Sequence, residues 1–371
     1  MTQLAVTTEL ERVLILIAYE LQLPEYLDAK VRERYESLSQ YLNSANLAPF
    51  SPDLYPQGSY ALGTTVKPLV GEEFDLDFII LLNRGGFANP DDLYDVVAFE
   101  IERSGRYAGM TERRPSCIRI TYADEFHMDI VPAVPDLGRS DTAILIPRND
   151  GRSLAWHATN PKGYISWFMH VSGQAEAAKR AMVEPLPPAS PAVEKTALQI
   201  AVQLVKRHHH RWVDDECLRT ASVVLTTITA TEASSHTSVG GCLDSVVDAL
   251  PRYIRDVAPR LTNPGAPYET ISEKWEEAGV YAAFCVQARQ LIDQWRKLTG
   301  LQGEGYGALV AHLNDMFGEG PVQRAVKALG RETRQAAIGG RLGTAAGGGL
   351  TIGTATTRNR PHTFYGSDET L

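Results

Sequence analysis

Phe74-Asp75-Leu76-Asp77-Phe78-Ile79-Ile80-Leu81-Leu82 decides how this chain folds. Apart from its two acids the run is apolar and rich in β-formers, so it reads as a strand of a buried sheet. Asp75 and Asp77 stand two residues apart and therefore point to the same face. Two carboxylates on one face repel each other and are costly to bury unpaired. A divalent cation removes both problems, and an oxygen-only donor pair suits Mg²⁺ or Mn²⁺.

Upstream, Gln57-Gly58-Ser59 offers a flexible turn and a hydroxyl, suited to holding a phosphate. Downstream, Phe126-His127-Met128-Asp129-Ile130-Val131-Pro132 is a second short apolar strand with one acid inside it. Cys117-Ile118-Arg119-Ile120-Thr121-Tyr122 precedes it with near alternation, and Ala123-Asp124-Glu125 reads as the turn of a hairpin. Asp129 is then expected on a strand beside Asp75 and Asp77. Three acids converging from two strands can hold two metal ions, the arrangement used for in-line nucleotidyl transfer.

These residues resemble a known family. Gly58-Ser59-Tyr60-Ala61-Leu62-Gly63-Thr64-Thr65-Val66, Phe74-Asp75-Leu76-Asp77 and Met128-Asp129-Ile130-Val131-Pro132 resemble the polymerase-β-like nucleotidyltransferases. Within them the chain looks most like the bacterial cGAS/DncV-like nucleotidyltransferases, which make cyclic di- or trinucleotide signals in anti-phage defence (CBASS). Trp156-His157-Ala158-Thr159-Asn160-Pro161-Lys162-Gly163-Tyr164 resembles the approach to their linker helix. Leu204-Val205-Lys206-Arg207-His208 with Thr220-Ala221-Ser222-Val223-Val224 resembles the triphosphate contacts of their helical lobe. Pro361-His362-Thr363-Phe364-Tyr365-Gly366 resembles a tail of some members.

The resemblance runs from about Pro56 to about Thr231, plus the tail. It implies an α+β fold: a polymerase-β-like core of a small mixed sheet with flanking helices, and an α-helical C-terminal lobe. It implies two Mg²⁺ ions, with Mn²⁺ able to substitute, on catalytic Asp75, Asp77 and Asp129. Gln57, Gly58, Ser59, Lys206 and Ser222 are then the nucleotide-binding residues. The implied partners are ribonucleoside triphosphates (ATP, GTP or others), an effector reached through the product, and an operon partner that conjugates or regulates through the tail.

Composition narrows the alternatives. The chain has 371 residues, 44% of them apolar, and a formal net charge of −9. That charge disfavours attraction to a nucleic-acid backbone. It argues against a terminal RNA nucleotidyltransferase, which needs a basic track. A transferase placing AMP on a protein or small molecule is often much shorter. A catalytically dead scaffold has no need to keep three costly acids. The four cysteines are scattered with no C-x-x-C, so reduced thiols and a cytoplasmic setting are expected. Val13-Leu14-Ile15-Leu16-Ile17-Ala18 is too short to span a bilayer, lacks a basic region before it, and reads as a core-facing helix.

Helical spacing predicts helices over 5–23 and 25–45, divided by Pro24. Further helices are expected at 90–104, 192–211, 217–234, 239–257, 271–299 and 321–338, with a breaker at Pro185–Pro191. The expected organisation is a catalytic lobe at 1–160 including the N-terminal helices. The linker helix and an oligoadenylate-synthase-like helical lobe follow at 161–338, then a flexible Gly-rich tail at 339–371. His208, His209 and His210 lie ~100° apart around a helix and cannot converge on one metal, so a wet helix end is expected.

Overall fold

The computed structural model describes residues 8–44, 46–69, 73–123, 125–149, 153–174, 195–301 and 305–339, with three short strands beyond. A seven-stranded mixed sheet forms the first lobe. Its strands are β1 (Pro52–Pro56), β2 (Phe74–Leu82), β3 (Thr111–Arg113), β4 (Ile118–Tyr122), β5 (Phe126–Pro135), β6 (Ile144–Asn149) and β7 (Leu154–Thr159). The spatial order is β1-β2-β5-β4-β3, and β6 pairs with β5 and β7. β2 and β5 run parallel, while every other pairing in this sheet is antiparallel.

Alternation along β2 explains its two faces. Phe74, Leu76, Phe78, Ile80 and Leu82 enter a core with Leu27, Val31 and Tyr35 of α2 (Glu25–Ser44) and Leu93 and Val97 of a helix spanning Pro90–Glu102. Burying a side chain such as Leu76 contributes about 2 kcal/mol. Asp75 and Asp77 fall on the opposite face. There Ile79 and Leu81, with Val131 and Ala133 of β5, make a small apolar patch beyond the acids.

The second lobe is helical. In chain order the helices are α1 (Thr8–Glu20), α2, α3 (Gly58–Ala61), α4 (Pro90–Glu102), α5 (Pro161–Val171), α6 (Ala197–Trp212), α7 (Ser222–Ala233), α8 (Val239–Ala249), α9 (Val280–Gly300), α10 (Tyr306–Phe317) and α11 (Glu319–Ile338). Helices α5 to α11 share one large core. Leu10, Val13, Leu14, Ile17 and Leu21 are buried in that same core, and Arg12 pairs with Glu332 of α11. Thus α1 is core-facing, as its sequence suggests, but packs with the helical lobe. Of the two N-terminal helices expected in the catalytic lobe, α2 packs into the core under the sheet and α1 into the helical core, the break at Pro24 separating two helices with different partners.

Several elements depart from the sequence expectation. Helix α8 ends at Ala249 and passes into a 3₁₀ turn, Leu250–Arg252, which contains Pro251. Helix α9 begins only at Val280, after Gly279 with φ +86°. Between them lies a hairpin of β8 (Thr262–Asn263) and β9 (Ala266–Thr270). Helix α10 was not expected. In the tail, Leu342–Thr344, Leu350–Ile352 and Thr357–Arg358 pair as a small antiparallel sheet. Pro185–Pro191 and Pro361–Gly366 lie outside the described residues. Among the described residues no helix is long and apolar enough to cross a membrane.

Candidate active site

The parallel pairing of β2 with β5 sets the acids side by side. Its register puts Asp77 opposite Asp129 and Asp75 opposite His127. Strand β4 then lays Arg119 opposite Asp129 from the other side. Asp75, Asp77 and Asp129 therefore share one sheet face, as the sequence predicts, and all three line one cavity of about 1270 Å³. That exceeds the roughly 300–1,000 Å³ usual for one small ligand.

The Gly58–Thr65 loop packs against the acids. Gln57 N–H donates to the Asp77 carbonyl at 2.8 Å, which fixes the turn onto β2. Gly58 has φ +60°, and a Cβ there would lie 2.6 Å from Asp77 Oδ2. Only glycine fits both the left-handed conformation and that approach. Ser59 follows in α3 and, like Gln57 and Gly58, lines the cavity.

Helix α6 grips the same loop from the second lobe. Gln199, Gln203 and Lys206 recur four and three residues apart and form one stripe. Gln199 donates to the Leu62 carbonyl at 2.9 Å and Gln203 to the Thr65 carbonyl at 2.7 Å. Lys206 Nζ donates to Thr64 Oγ at 3.2 Å. Lys206 is 3% exposed and faces the cavity. Ser222, the first residue of α7, is exposed on the cavity wall. All eight residues singled out by the sequence thus border one space.

Burial shifts the charged groups toward each other's range. Asp77 is pushed up to about 7, first by desolvation and then by Asp129 and Asp75, against Arg119 and Lys206. Burial lowers Lys206 to about 7 while Asp77 pulls the other way. Burial also raises Asp75, with Arg119 opposing. Hard oxygens on rigid strands suit Mg²⁺ or Mn²⁺ in kind. Yet among the described residues no three acidic, imidazole or thiol groups are gathered into a closed metal cage. Arg119 holds Asp129 by Nε–Oδ1 and Nη2–Oδ2 bonds of 2.7 Å each, and reaches Asp75 Oδ1 at 3.1 Å.

Sequence reasoning missed Arg119, whose place opposite Asp129 is set by the β4–β5 register. It also missed the β8–β9 hairpin, which forms the far wall. Glu269 of β9 accepts from Thr159 at 2.8 Å and from Asn263 at 2.8 Å, joining the end of β7 to the hairpin. Glu273 pairs with Arg148 at 2.6 Å, and both line the cavity. The histidine expectation is corrected as well. His208 and His209 are fully buried, not at a wet helix end. His208 bonds Gln294 and Gln287, while His209 bonds Gln287 and accepts from Thr220 N–H.

A mixed sheet carrying three acids beside a Gly-Ser turn, closed by a helical lobe, is the architecture of a polymerase-β-like nucleotidyltransferase. Comparison with known proteins narrows this class. The Second Messenger Oligonucleotide or Dinucleotide Synthetase domain matches residues 15–171. A c-di-GMP synthase of Roseivirga ehrenbergii is 27% identical over 97% of this chain and 98% of its own length. The cyclic dinucleotide synthase CdnG of Bradyrhizobium diazoefficiens is 28% identical over 93% of this chain and 89% of its own. The structure of the Bradyrhizobium CdnG in complex with GTP superposes with a TM-score of 0.69 at 25% identity, covering 87% of this chain and 99% of that one. Over these lengths the chain is similar to the cGAS/DncV-like nucleotidyltransferases.

Proposed function

We propose that this protein is a divalent-metal-dependent synthase that joins ribonucleoside triphosphates, GTP among them, into a cyclic dinucleotide messenger with release of pyrophosphate. The observation that carries the reading is the juxtaposition of Asp77 and Asp129 on neighbouring strands, within one cavity that also holds Gly58, Ser59 and Lys206. GTP and the dinucleotide product are supported by the relatives named above and by the size of the cavity.

The chain's residues divide the work as follows. Ser59 and the Gly58 turn hold the outer phosphates of the donor from the sheet side. Lys206 supplies a buried positive charge, and Ser222 a hydroxyl, from the helical side. Asp75, Asp77 and Asp129 would hold Mg²⁺ or Mn²⁺, which when bound neutralises the triphosphate and lowers the pKa of the acceptor hydroxyl. The acceptor oxygen attacks the donor α-phosphorus in line, the bond to the β-phosphate oxygen breaks, and pyrophosphate departs. A carboxylate of the triad receives the acceptor proton. The linear intermediate then re-binds with its ends exchanged and the same step closes the ring. Positioning and charge neutralisation dominate the catalysis.

A cytoplasmic setting, an effector that reads the product, and an operon partner acting on the C-terminal tail belong to the same reading. The direct test is thermal stabilisation by GTP or ATP with and without Mg²⁺. Stabilisation should require the metal and vanish in Asp77→Asn and Asp129→Asn. Equal stabilisation without metal, or in both variants, overturns the assignment.

A further inference from the structure

We propose that Arg119 is a latch on the metal site: its guanidinium holds Asp129 and Asp75 against uptake of a free divalent cation and yields them when a nucleotide enters. Arg119 is on this reading a positioning residue. The inference rests on the proposed metal-dependent function and adds a way of coupling its two ligands.

The geometry carries it. Both oxygens of Asp129 are taken by a two-pronged guanidinium contact at 2.7 Å each. The same Nη2 reaches Asp75 at 3.1 Å, so one cation spans the acids of two strands. The side chains of Arg119 and Asp129 are 20% and 13% exposed. This pair is therefore poorly screened, and its charge-assisted hydrogen bonds are of the strong kind. Each Asp129 oxygen keeps a further lone pair, but a metal approaching from the side of the guanidinium must displace one of those bonds, and an incoming dication also repels the guanidinium. Those contacts leave two of the three acids engaged by one guanidinium.

Arg119 has somewhere to go. It lines the cavity with Lys206 and Ser59. Its planar fork matches a phosphate as well as it matches a carboxylate. A triphosphate entering the cavity competes for the guanidinium and frees Asp129 in the same event. Metal affinity and nucleotide affinity are then coupled, each raising the other by the same factor.

The test uses the full-length protein with Mn²⁺ alone as probe, followed by electron paramagnetic resonance, and is repeated with a non-hydrolysable GTP analogue. Arg119→Lys keeps the positive charge but loses the fork, which separates the latch from simple repulsion. Losing one charge-assisted bond predicts roughly tenfold tighter Mn²⁺ binding by Arg119→Lys without nucleotide. Arg119→Met should bind tighter still. The gain in Mn²⁺ affinity caused by the GTP analogue should shrink in both. Arg119→Lys equal to wild type without nucleotide overturns the latch while leaving the synthase reading intact. Wild-type protein that takes up no Mn²⁺ even with the analogue overturns both. If Arg119→Met does not fold, Arg119→Lys decides alone.

Discussion

Gly58→Ala should disable the site while leaving both lobes folded. Two effects add. The native φ of +60° puts an alanine in the left-handed region, at a cost of about 1–2 kcal/mol. The new Cβ would also sit 2.6 Å from Asp77 Oδ2, whereas ordinary contact begins at 3.4 Å, so the carboxylate must retreat by about 0.8 Å. Strand β2 is held between β1 and β5 and cannot follow, so the carboxylate itself turns away. A misplacement of that size costs about 10²-fold in rate. Pyrophosphate release gives kcat/KM, and urea unfolding gives stability. The expected outcome is a fall of about two decades in kcat/KM with a stability loss of about 1–2 kcal/mol. Gly109→Ala is the control, since a Cβ there meets nothing within 4 Å. Wild-type kcat/KM in Gly58→Ala would refute the claim that this turn positions Asp77.

Three more outcomes follow from other parts of the fold. Lys206→Ala should raise the donor KM by about tenfold with a smaller change in kcat, because a single charge-assisted phosphate contact is lost; an unchanged KM removes Lys206 from the site. Gly265→Ala should destabilise by about 1–3 kcal/mol, since its Cβ would lie 2.3 Å from the Gly163 carbonyl carbon and neither backbone can give; an unchanged urea midpoint contradicts that packing. Burial holds His208 at about 3 and His209 at about 4, below the ordinary 6.5, so both are neutral in the fold. Below about pH 6.5 the unfolded chain takes up protons that the fold refuses, so stability falls with acid until the folded values are reached. At pH 5 this amounts to about 2 kcal/mol for each histidine. The double variant His208→Gln/His209→Gln should lose correspondingly less stability between pH 7.5 and 5; an unchanged pH slope contradicts the buried neutral pair.

What the sequence made legible was local and periodic. The strand at Phe74–Leu82 and the hairpin ending in Phe126–Pro135 follow from alternation, because a half-buried strand sorts its side chains by parity; the convergence of Asp77 with Asp129 needs in addition the pairing of β2 with β5, which alternation permits but does not fix. Lys206 was readable from the family pattern, but its depth was not, since burial of a lysine depends on a loop over a hundred residues away. Arg119 hid in plain alternation: its partners become visible only when the cross-strand register is known. The β8–β9 hairpin was missed because its two strands are short and carry no apolar period, so the stretch between the helices expected at 239–257 and 271–299 was left without an element. His208 and His209 were misread because three consecutive polar residues signal solvent, whereas Gln287 and Gln294 on α9 satisfy them inside the core. The packing partner of α1 was hidden for a related reason: amphipathic periodicity reveals that a face is buried but not against what.

The most direct test is product analysis. Purified protein is incubated with each combination of the four ribonucleoside triphosphates and Mg²⁺, treated with phosphatase, and resolved by mass, with Asp77→Asn alongside. The account predicts a phosphatase-resistant cyclic dinucleotide containing guanine, absent from the variant. Only linear products from every combination, or a cyclic product that persists in Asp77→Asn, would contradict it.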